Sequence, residues 1–448
     1  MYQGPGRVSL ALLQGNIPPV LRVSVLRLPV EQSAGAKSLS PSLKSLYCHS
    51  ACVENPKITP VASKAAPASG SVGSRNVCSM GSSSSRLYSA LAQTLSGGPT
   101  AQEGALEQDL GQEPERCDPD QLQRECQEVL RQRPPRTQRC FTSPRGPAPQ
   151  GLSPGQPIRV MQWNILAQAL GEGKDSFVRC PLEALNWAER KYLILEEILT
   201  YRPDILCLQE VDHYYDTFQP VLQSLGYHGT FCPKPWSPCL DLERNNGPDG
   251  CALFFRRERF QLEHSASVRL AAALLKTNQV AIIQTLRCRA TGRALCVAVT
   301  HLKARSGWER LRSAQGSDLL RYLQTASGGR QGVPLLVCGD FNAEPSEDVY
   351  RRFAASGLEL DSAYTRLSPD GAEPPYTTWK IRPSGESCHT LDYIWFSRLA
   401  FRVESLLELP TAEQIGPDRL PSYNYPSDHL SLICDFSLLD PAQPGEQS

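Results

Sequence analysis

Three apolar runs in this chain end in side chains able to do chemistry. ILCLQE closes on Glu210, LCVAVTHL on His301, and PLLVCGDFN on Asp340 and Asn342. Packing alone asks for no carboxylate at the end of an apolar run. Burying one unpaired costs several kcal/mol, so such a group is protonated, paired or bound to a metal. Further polar groups fall in similar places: Asn164 late in IRVMQWNIL, Asp392 at the start of LDYIW, and Asp428 with His429 in YPSDHLSL. Each has an ordinary reading. Asp340 and Asn342 suit a turn, Asp428 could shape a loop, Asp392 could be a structural partner and His429 could cap a strand. One such ending means little, whereas several in one segment imply strand ends that converge on a cleft. The set is rich in oxygen donors and poor in thiolate, which favours a hard cation, Mg2+ or Mn2+, over zinc. The chain has no HExxH and no GxxxxGK[ST], so zinc-protease and nucleotide-triphosphatase readings lose their usual signals.

The elements that must position these groups lie in a block from about 157 to 440. Strands are expected at 158–165, 205–209, 251–255, 279–286, 295–301, 335–338, 391–396, 402–407 and 430–436. Helices are expected at 187–200, 310–324 and 346–355. The first should turn Ala188, Tyr192, Leu195 and Ile198/Leu199 to one face and end at Pro203. Strands mixed with helices over this length predict an α/β fold of sheets packed face to face and covered by helices.

The chain has 448 residues and no net charge, but its parts differ. Residues 1–100 carry a net +7, residues 101–156 a net −2 and residues 157–448 a net −5. This balance argues against a globular domain coated with basic residues for nucleic acid, and any anion site in the last part must be local. The first hundred residues, basic, Ser-rich and acid-poor, predict a disordered leader of the organelle-transit kind, giving mitochondrial as well as cytoplasmic location. Met80-Gly81 followed by serines fits a myristoylation site only if translation starts there, and otherwise reads as a Ser-rich linker. Within 101–156, Asp118 before Pro119 predicts a short helix over 118–132, followed by a Pro/Arg-rich linker; 441–448 reads as a disordered tail. No run of 18 apolar residues predicts a membrane span. The sixteen cysteines include no CxxC, and Cys207, Cys296 and Cys338 sit in apolar runs as small hydrophobes, which predicts reduced thiols. Cys48, His49 and Cys52 lack a nearby fourth ligand for a closed metal site.

The ordered set WN, LQE, THL, GDFN, LDYI and SDH resembles the endonuclease/exonuclease/phosphatase family of Mg2+-dependent phosphoesterases. The stretches VMQWNILAQALGEGKD, LCLQEVDHYYDTFQP, HLKARSGWERLRSAQG and VCGDFNAEP resemble its poly(A)-deadenylase branch, although the leucine-rich repeats of the deadenylases are missing here. The resemblance implies a four-layer α-β-β-α sandwich with the site at one rim. It implies that Glu210 binds Mg2+, that Asp340 orients or deprotonates the attacking water, and that Asn164 and Asn342 hold phosphate oxygens and water. His429 would donate to the phosphoryl oxygens, Asp392 would fix its tautomer, and His301 would flank the transferring group.

The substrate is less directly written. In HLKAR, an extended backbone would point His301, Lys303 and Arg305 the same way. Lys234 in PKPWSPC and Arg382 in WKIRPSGE are further cations, and all of them compete with a plain solvated-surface reading. Trp236 and Trp379 could stack on a base, though core or rim packing is the simpler role. A closer resemblance within the branch places Lys234, Lys303 and Arg305 by the substrate; Glu210, His301, Asp340, Phe341, Asn342, Arg382 and His429 are the other residues expected to contact it. A few cations in a domain of net −5 suit a compact polyanion better than a long strand of RNA. The resulting expectation is removal of the 2′-phosphate from NADP+ and NADPH, in a circadian and metabolic setting that the resemblance implies. The alternatives are a 3′-exonuclease acting on poly(A) and a non-catalytic repressor of messenger RNAs, with RNA a secondary partner in the preferred reading.

Overall fold

The computed structural model describes residues 116–144, 156–243, 245–328 and 332–439. The leader, the Met80 site, the Cys48–His49–Cys52 group and the 441–448 tail lie outside the described residues. Among the described residues fifteen strands run in chain order: β1 Phe141–Thr142, β2 Ile158–Asn164, β3 Ile205–Val211, β4 Tyr227–Pro233, β5 Gly250–Arg256, β6 Phe260–Ala272, β7 Leu275–Cys288, β8 Ala294–His301, β9 Leu335–Asp340, β10 Leu360–Ser362, β11 Thr378–Arg382, β12 Gly385–His389, β13 Asp392–Ser397, β14 Phe401–Leu407 and β15 Leu432–Leu438. The main helices are α1 Pro119–Leu130, α2 Trp187–Tyr201, α3 Glu309–Ser327 and α4 Asp348–Ala354.

One sheet has the order β1-β14-β15-β2-β3-β5-β4 and the other β10-β13-β9-β8-β7-β6. Each holds one parallel pair at its centre, β2 with β3 and β8 with β9; the other pairs are antiparallel. Side chains alternate across these strands. Val160, Ile205, Cys207 and Leu253 of the first sheet meet Ile282, Val297, Val299, Cys338 and Ile394 of the second in a dry layer. The opposite faces are covered by helices. Met161, Trp163, Leu206 and Leu208 pack under Ile194 and Ile198 of α2. Ala298, Val337 and Trp395 pack under Leu319 and Leu323 of α3 and Phe353 of α4. Each such aliphatic side chain contributes about 1.5–3 kcal/mol when fully buried. The four layers are those expected, and the buried cysteines Cys207, Cys296 and Cys338 are free thiols.

The expected faces of α2 need correction. Ala188 is exposed, and the helix is apolar on two sides because it is itself covered. Tyr192, Leu195 and Leu199 pack against Leu122, Cys126 and Leu130 of α1, which Asp118 caps at its N-terminus. Left-handed Arg202, with φ 48°, ends α2 before Pro203. The linker reading also fails for part of 131–144. Phe141 and Thr142 pair with Leu407 and Leu406, and Arg136 and Arg139 are buried. Six strands, β1, β4, β6, β10, β11 and β12, escaped the sequence; in β4, β6 and β12 exposed polar residues dilute the apolar pattern, and β1 and β10 are only two and three residues long. Among the described residues no helix is long and apolar enough to cross a membrane.

Candidate active site

The inner faces of the two sheets turn from apolar to polar at one end. The alternation that buries Val160 also carries Gln162 and Asn164 inward; the same parity carries Gln209 of β3, His301 of β8, Asp340 of β9 and Asp392 of β13. Register then sets neighbours. Asp340 lies opposite His301 in the parallel pair and opposite Asp392 in the antiparallel one. Asp340 can sit this deep because β8 and β9 approach closely: a Cβ on Gly339 would come within 2.6 Å of the Thr300 carbonyl. At or just past the ends of four of these strands stands a left-handed residue: Leu166 (φ 58°), Glu210 (φ 56°), Arg305 (φ 80°) and Asn342 (φ 49°). Such backbone is costly for non-glycine residues and collects at functional sites. At Glu210 it coincides with a register shift between β3 and β5 and brings the carboxylate back toward the cleft.

Asn164 ties the two sheets together. Its Nδ2 donates to Glu210 Oε1 and to Asp340 Oδ2, both at 3.0 Å, while its Oδ1 accepts from Leu166 N at 3.1 Å. Glu210 Oε2 accepts from Ala167 N at 3.2 Å, and Asp340 Oδ1 from Asn342 N at 2.8 Å. His429 Nδ1 lies 2.8 Å from Asp392 Oδ2, which also accepts from Thr377 Oγ1 at 2.7 Å. Gln162 Nε2 donates to the other Asp392 oxygen at 3.2 Å. His429 Nε2 faces Asp340 Oδ2 at 3.8 Å and Asp428 Oδ2 at 3.9 Å. His301 Nε2 lies 3.5 Å from Asp340 Oδ2, and its Nδ1 lies 3.4 Å from Lys234 Nζ.

Burial and charge divide the labour. Burial would depress His429, but the carboxylates of Asp392, Asp340 and Asp428 hold it up at about 9, so it is an imidazolium at neutral pH. Burial pushes His301 well below its usual value, helped by Lys234, His429 and Lys303. Neutral His301 therefore accepts from Lys234 at Nδ1 and carries its proton at Nε2, toward Asp340. Burial raises Asp340 to about 6 against the pull of His429. Burial also lifts Glu210 to about 7, reinforced by Asp249 and Asp428. Burial opposes the ionisation of Asp428, but Lys380 and His429 outweigh it and hold its carboxyl well below the usual range.

Asp340, Asp392 and His429 present ligand atoms within 4.8 Å of one another. In this group Nδ1 of His429 is already engaged by Asp392 at 2.8 Å. Glu210 fits a divalent cation better. Each of its oxygens keeps a lone pair after accepting one hydrogen bond, and the carboxylates around it resist its ionisation unless a positive charge arrives.

The cations divide. Lys234 reaches the centre and is held by Asp249 Oδ2 at 2.5 Å, with Asp249 also accepting from Ser237. Lys303 stands partly exposed over the Trp308 ring, its Nζ 5.5 Å from the centroid. The extended run does not reach Arg305: β8 ends at His301, and Arg305 is exposed in its left-handed turn. Buried Arg312 donates to the carbonyls of Lys303 and Arg305 at 3.1 and 2.7 Å and so fixes this loop. Arg382 is committed to Asp175, at 3.0 and 3.1 Å, and stands 4.0 Å from Asp428. Phe341 does not face the cleft. One residue past inward Asp340, its ring lies on the outer face, 4.9 Å from Phe353. Trp379 is covered by the Arg419 guanidinium at 3.9 Å, which leaves that face closed to a base, whereas Trp236 is exposed. The sequence reading missed Lys380, which pairs with Asp428 in place of Arg382. It also missed Asp249, Gln162 and Thr377. Alternation of Thr378, Lys380 and Arg382 was the available signal for the first; Asp249 sits in NNGPDG and looks like turn sequence.

Two packed sheets with carboxylates, histidines and asparagines gathered at one rim define a phosphoesterase site, and the family model "Endonuclease/Exonuclease/phosphatase family" matches residues 161–429. The chain belongs to that family of metal-dependent hydrolases. It is 59% identical to nocturnin of Homo sapiens over 98% of this chain and 99% of that protein. The human nocturnin catalytic domain, solved with a bound sulfate anion, superposes with a TM-score of 0.58 at 62% identity, covering 68% of this chain and 99% of that one. ANGEL2, described as a 2′,3′-cyclic phosphatase and solved with adenosine-2′,3′-vanadate, superposes with a TM-score of 0.56 at 26% identity, covering 67% and 99%.

Proposed function

We propose that this protein is a metal-dependent phosphoric monoester hydrolase that removes the 2′-phosphate of NADP+ and NADPH, giving NAD+ and NADH. The observation that carries the reading is the grouping of Lys234, His301 and imidazolium His429 around Asp340, with Lys303 beside them at the end of β8. These few cationic and donor groups crowd one point, which suits a dianionic terminal phosphate more than a strand bearing many single charges. The relative solved with an adenosine-2′,3′-vanadate supports a ribose 2′-phosphate as the reacting group.

Glu210 would hold Mg2+ or Mn2+. Such an ion, when bound, supplies charge neutralisation at the phosphoryl oxygens. The rest falls to the chain. Asp340, ionised at neutral pH, orients the attacking water and takes its proton as the bond from phosphorus to ribose oxygen breaks, and the departing 2′-oxygen takes a proton from solvent water to become the hydroxyl of the product. Imidazolium His429 donates from Nε2 to a phosphoryl oxygen, while Asp392 holds its Nδ1 proton in place. Asn164 keeps Glu210 and Asp340 at a fixed spacing, and its own amide is fixed by Leu166 N. His301 stays neutral, offering its Nε2 proton beside the reacting group.

A 3′-exonuclease would use the same centre, and the family's own description includes exonucleases. The test offers purified full-length protein NADPH and oligoadenylate in turn with Mg2+, using Glu210→Ala as the blank. Orthophosphate from NADPH with the oligoadenylate intact is the expected result. Shortened oligoadenylate with intact NADPH removes the reading in favour of the exonuclease. Unchanged repression of target messages in cells by Glu210→Ala would support the binding-protein alternative. The leader reading stands beside this as a proposal about location: residues 1–80 fused to a fluorescent reporter should collect in mitochondria, and a diffuse signal ends it.

A further inference from the structure

We propose that Arg139 is a positioning residue for His429. It comes from the segment before β2, outside residues 161–429 that match the family model. The inference rests on the reading of His429 as donor to the phosphoryl group.

His429 is fixed from within the site by Asp392 at Nδ1, by Trp163 Nε1 donating to its carbonyl at 2.7 Å, and by Ser427 Oγ accepting from its N–H at 3.1 Å. Two residues on, the chain is gripped from the other side of the sheet. Arg139 Nη2 donates to the Ser431 carbonyl at 2.7 Å and Nη1 to the Ser431 hydroxyl at 2.8 Å. That hydroxyl donates to Glu197 Oε1 at 2.7 Å, and Glu197 is 1% exposed and also pairs with Arg136. The pairing of β15 with β2 begins only at Leu432, so the Ser431 carbonyl relies on the guanidinium rather than on a sheet partner. At the near end of the same stretch, buried Arg190 donates to the Pro426 carbonyl at 2.9 Å and to those of Ile165 and Leu166 at 3.1 and 2.9 Å. Residues 426–431 are thus held between two buried guanidiniums with His429 inside the span.

Anchoring the early segment does not require this fork. Phe141 and Thr142 pair with β14, and Glu408 N donates to the Cys140 carbonyl at 2.9 Å. A bidentate fork on one residue is a geometric constraint as well as an attraction. Without it the Ser431 carbonyl is buried with no sheet partner, and residues 429–431 relax to find one. A displacement of His429 by an ångström would cost up to about a hundredfold in rate with little effect on substrate binding.

The experiment uses the full-length chain and orthophosphate release from NADPH, comparing wild type with Arg139→Met, Arg139→Lys and Ser431→Ala, and with His429→Asn as control. Melting temperatures and the downfield proton resonance of the His429 imidazole, identified by its loss in His429→Asn, are recorded alongside. Well below its melting temperature, Arg139→Met should lower kcat about tenfold or more, with KM within about twofold. Its imidazole resonance should shift or broaden, and Arg139→Lys should restore part of both. A lower melting temperature with unchanged kcat and unchanged resonance overturns the inference and leaves Arg139 an anchor only. If Arg139→Met does not fold, Ser431→Ala decides on the same readouts. Wild-type activity in His429→Asn would sink the assigned role of His429 instead, a different failure from that of Arg139.

Discussion

Nδ1 of His429 lies 2.8 Å from Oδ2 of Asp392, and both side chains are all but sealed from solvent. This contact sets the protonation of the site. It commits one imidazole proton to a carboxylate and leaves the other, on Nε2, facing the cleft. Replacing Asp392 by Asn removes the charge that helps keep His429 protonated. The variant should lose at least about a hundredfold in kcat, and its alkaline limb should move to lower pH. A pH–rate profile in which Asp392→Asn retains the wild-type alkaline limb contradicts the assignment.

The wild-type profile of kcat/KM should be bell-shaped. Asp340 is raised to about 6, so activity falls as its proton returns below that value. His429 is raised to about 9, so activity falls as its proton leaves above that value. A bound cation near Glu210 will draw the acid limb lower. A profile that rises steadily through pH 10 would exclude an imidazolium donor.

Glu210 also predicts a stability effect that needs no substrate. Its folded value, about 7, lies above its ordinary 4.5, so the folded state prefers it protonated and loses stability as pH rises from about 4.5 through 7. A cation that binds the ionised form reverses that loss. Saturating Mg2+ should therefore raise the melting temperature clearly at pH 8 and little at pH 5. In Glu210→Gln the pH 8 increment should vanish. An equal increment in the variant would place the cation elsewhere.

Gly316 marks a close approach between α3 and α4. A Cβ there would lie 2.4 Å from Val349 Cγ2. Gly to Ala inside a helix gains up to about 1 kcal/mol of propensity, while overpacking a full core costs about 1–3 kcal/mol. Gly316→Ala should thus lower the unfolding free energy, and Gly316→Ala with Val349→Ala should recover part of it. Denaturant unfolding that shows the single variant more stable than wild type refutes this account of the helix contact.

Much of the site is legible in the sequence because of parity. A strand buried on both faces reads as an apolar run, and the first inward position that is polar marks where the dry layer stops. His301 and Asp340 announce themselves in this way, whereas Glu210, one place past inward Gln209, reaches the cleft only through its left-handed backbone. Parity also explains the error at Phe341: the residue beside Asp340 must face the outer layer, where Phe353 and Tyr393 enclose it. The partners that tune the site are harder to read. Lys380, Asp249 and Thr377 act across long sequence separations from positions that look like ordinary strand or turn. The left-handed turns at Glu210, Arg305 and Asn342 carry no glycine to betray them, and at Arg305 the turn breaks the alternation that HLKAR suggests. Arg136 and Arg139 hide in a Pro/Arg-rich stretch whose composition says linker, because their partners, Glu197 and Ser431, lie far along the chain.

The central claim is attack by water on a terminal phosphate held at the Asp340–His429 rim. It is tested most directly by incubating the full-length protein and Mg2+ with NADPH in water enriched in oxygen-18. The account predicts one heavy oxygen in the released orthophosphate, none in the ribose of the NADH formed, and neither product from Asp340→Asn. Heavy oxygen in the ribose, or NADPH left intact by a preparation that shortens oligoadenylate, would contradict it.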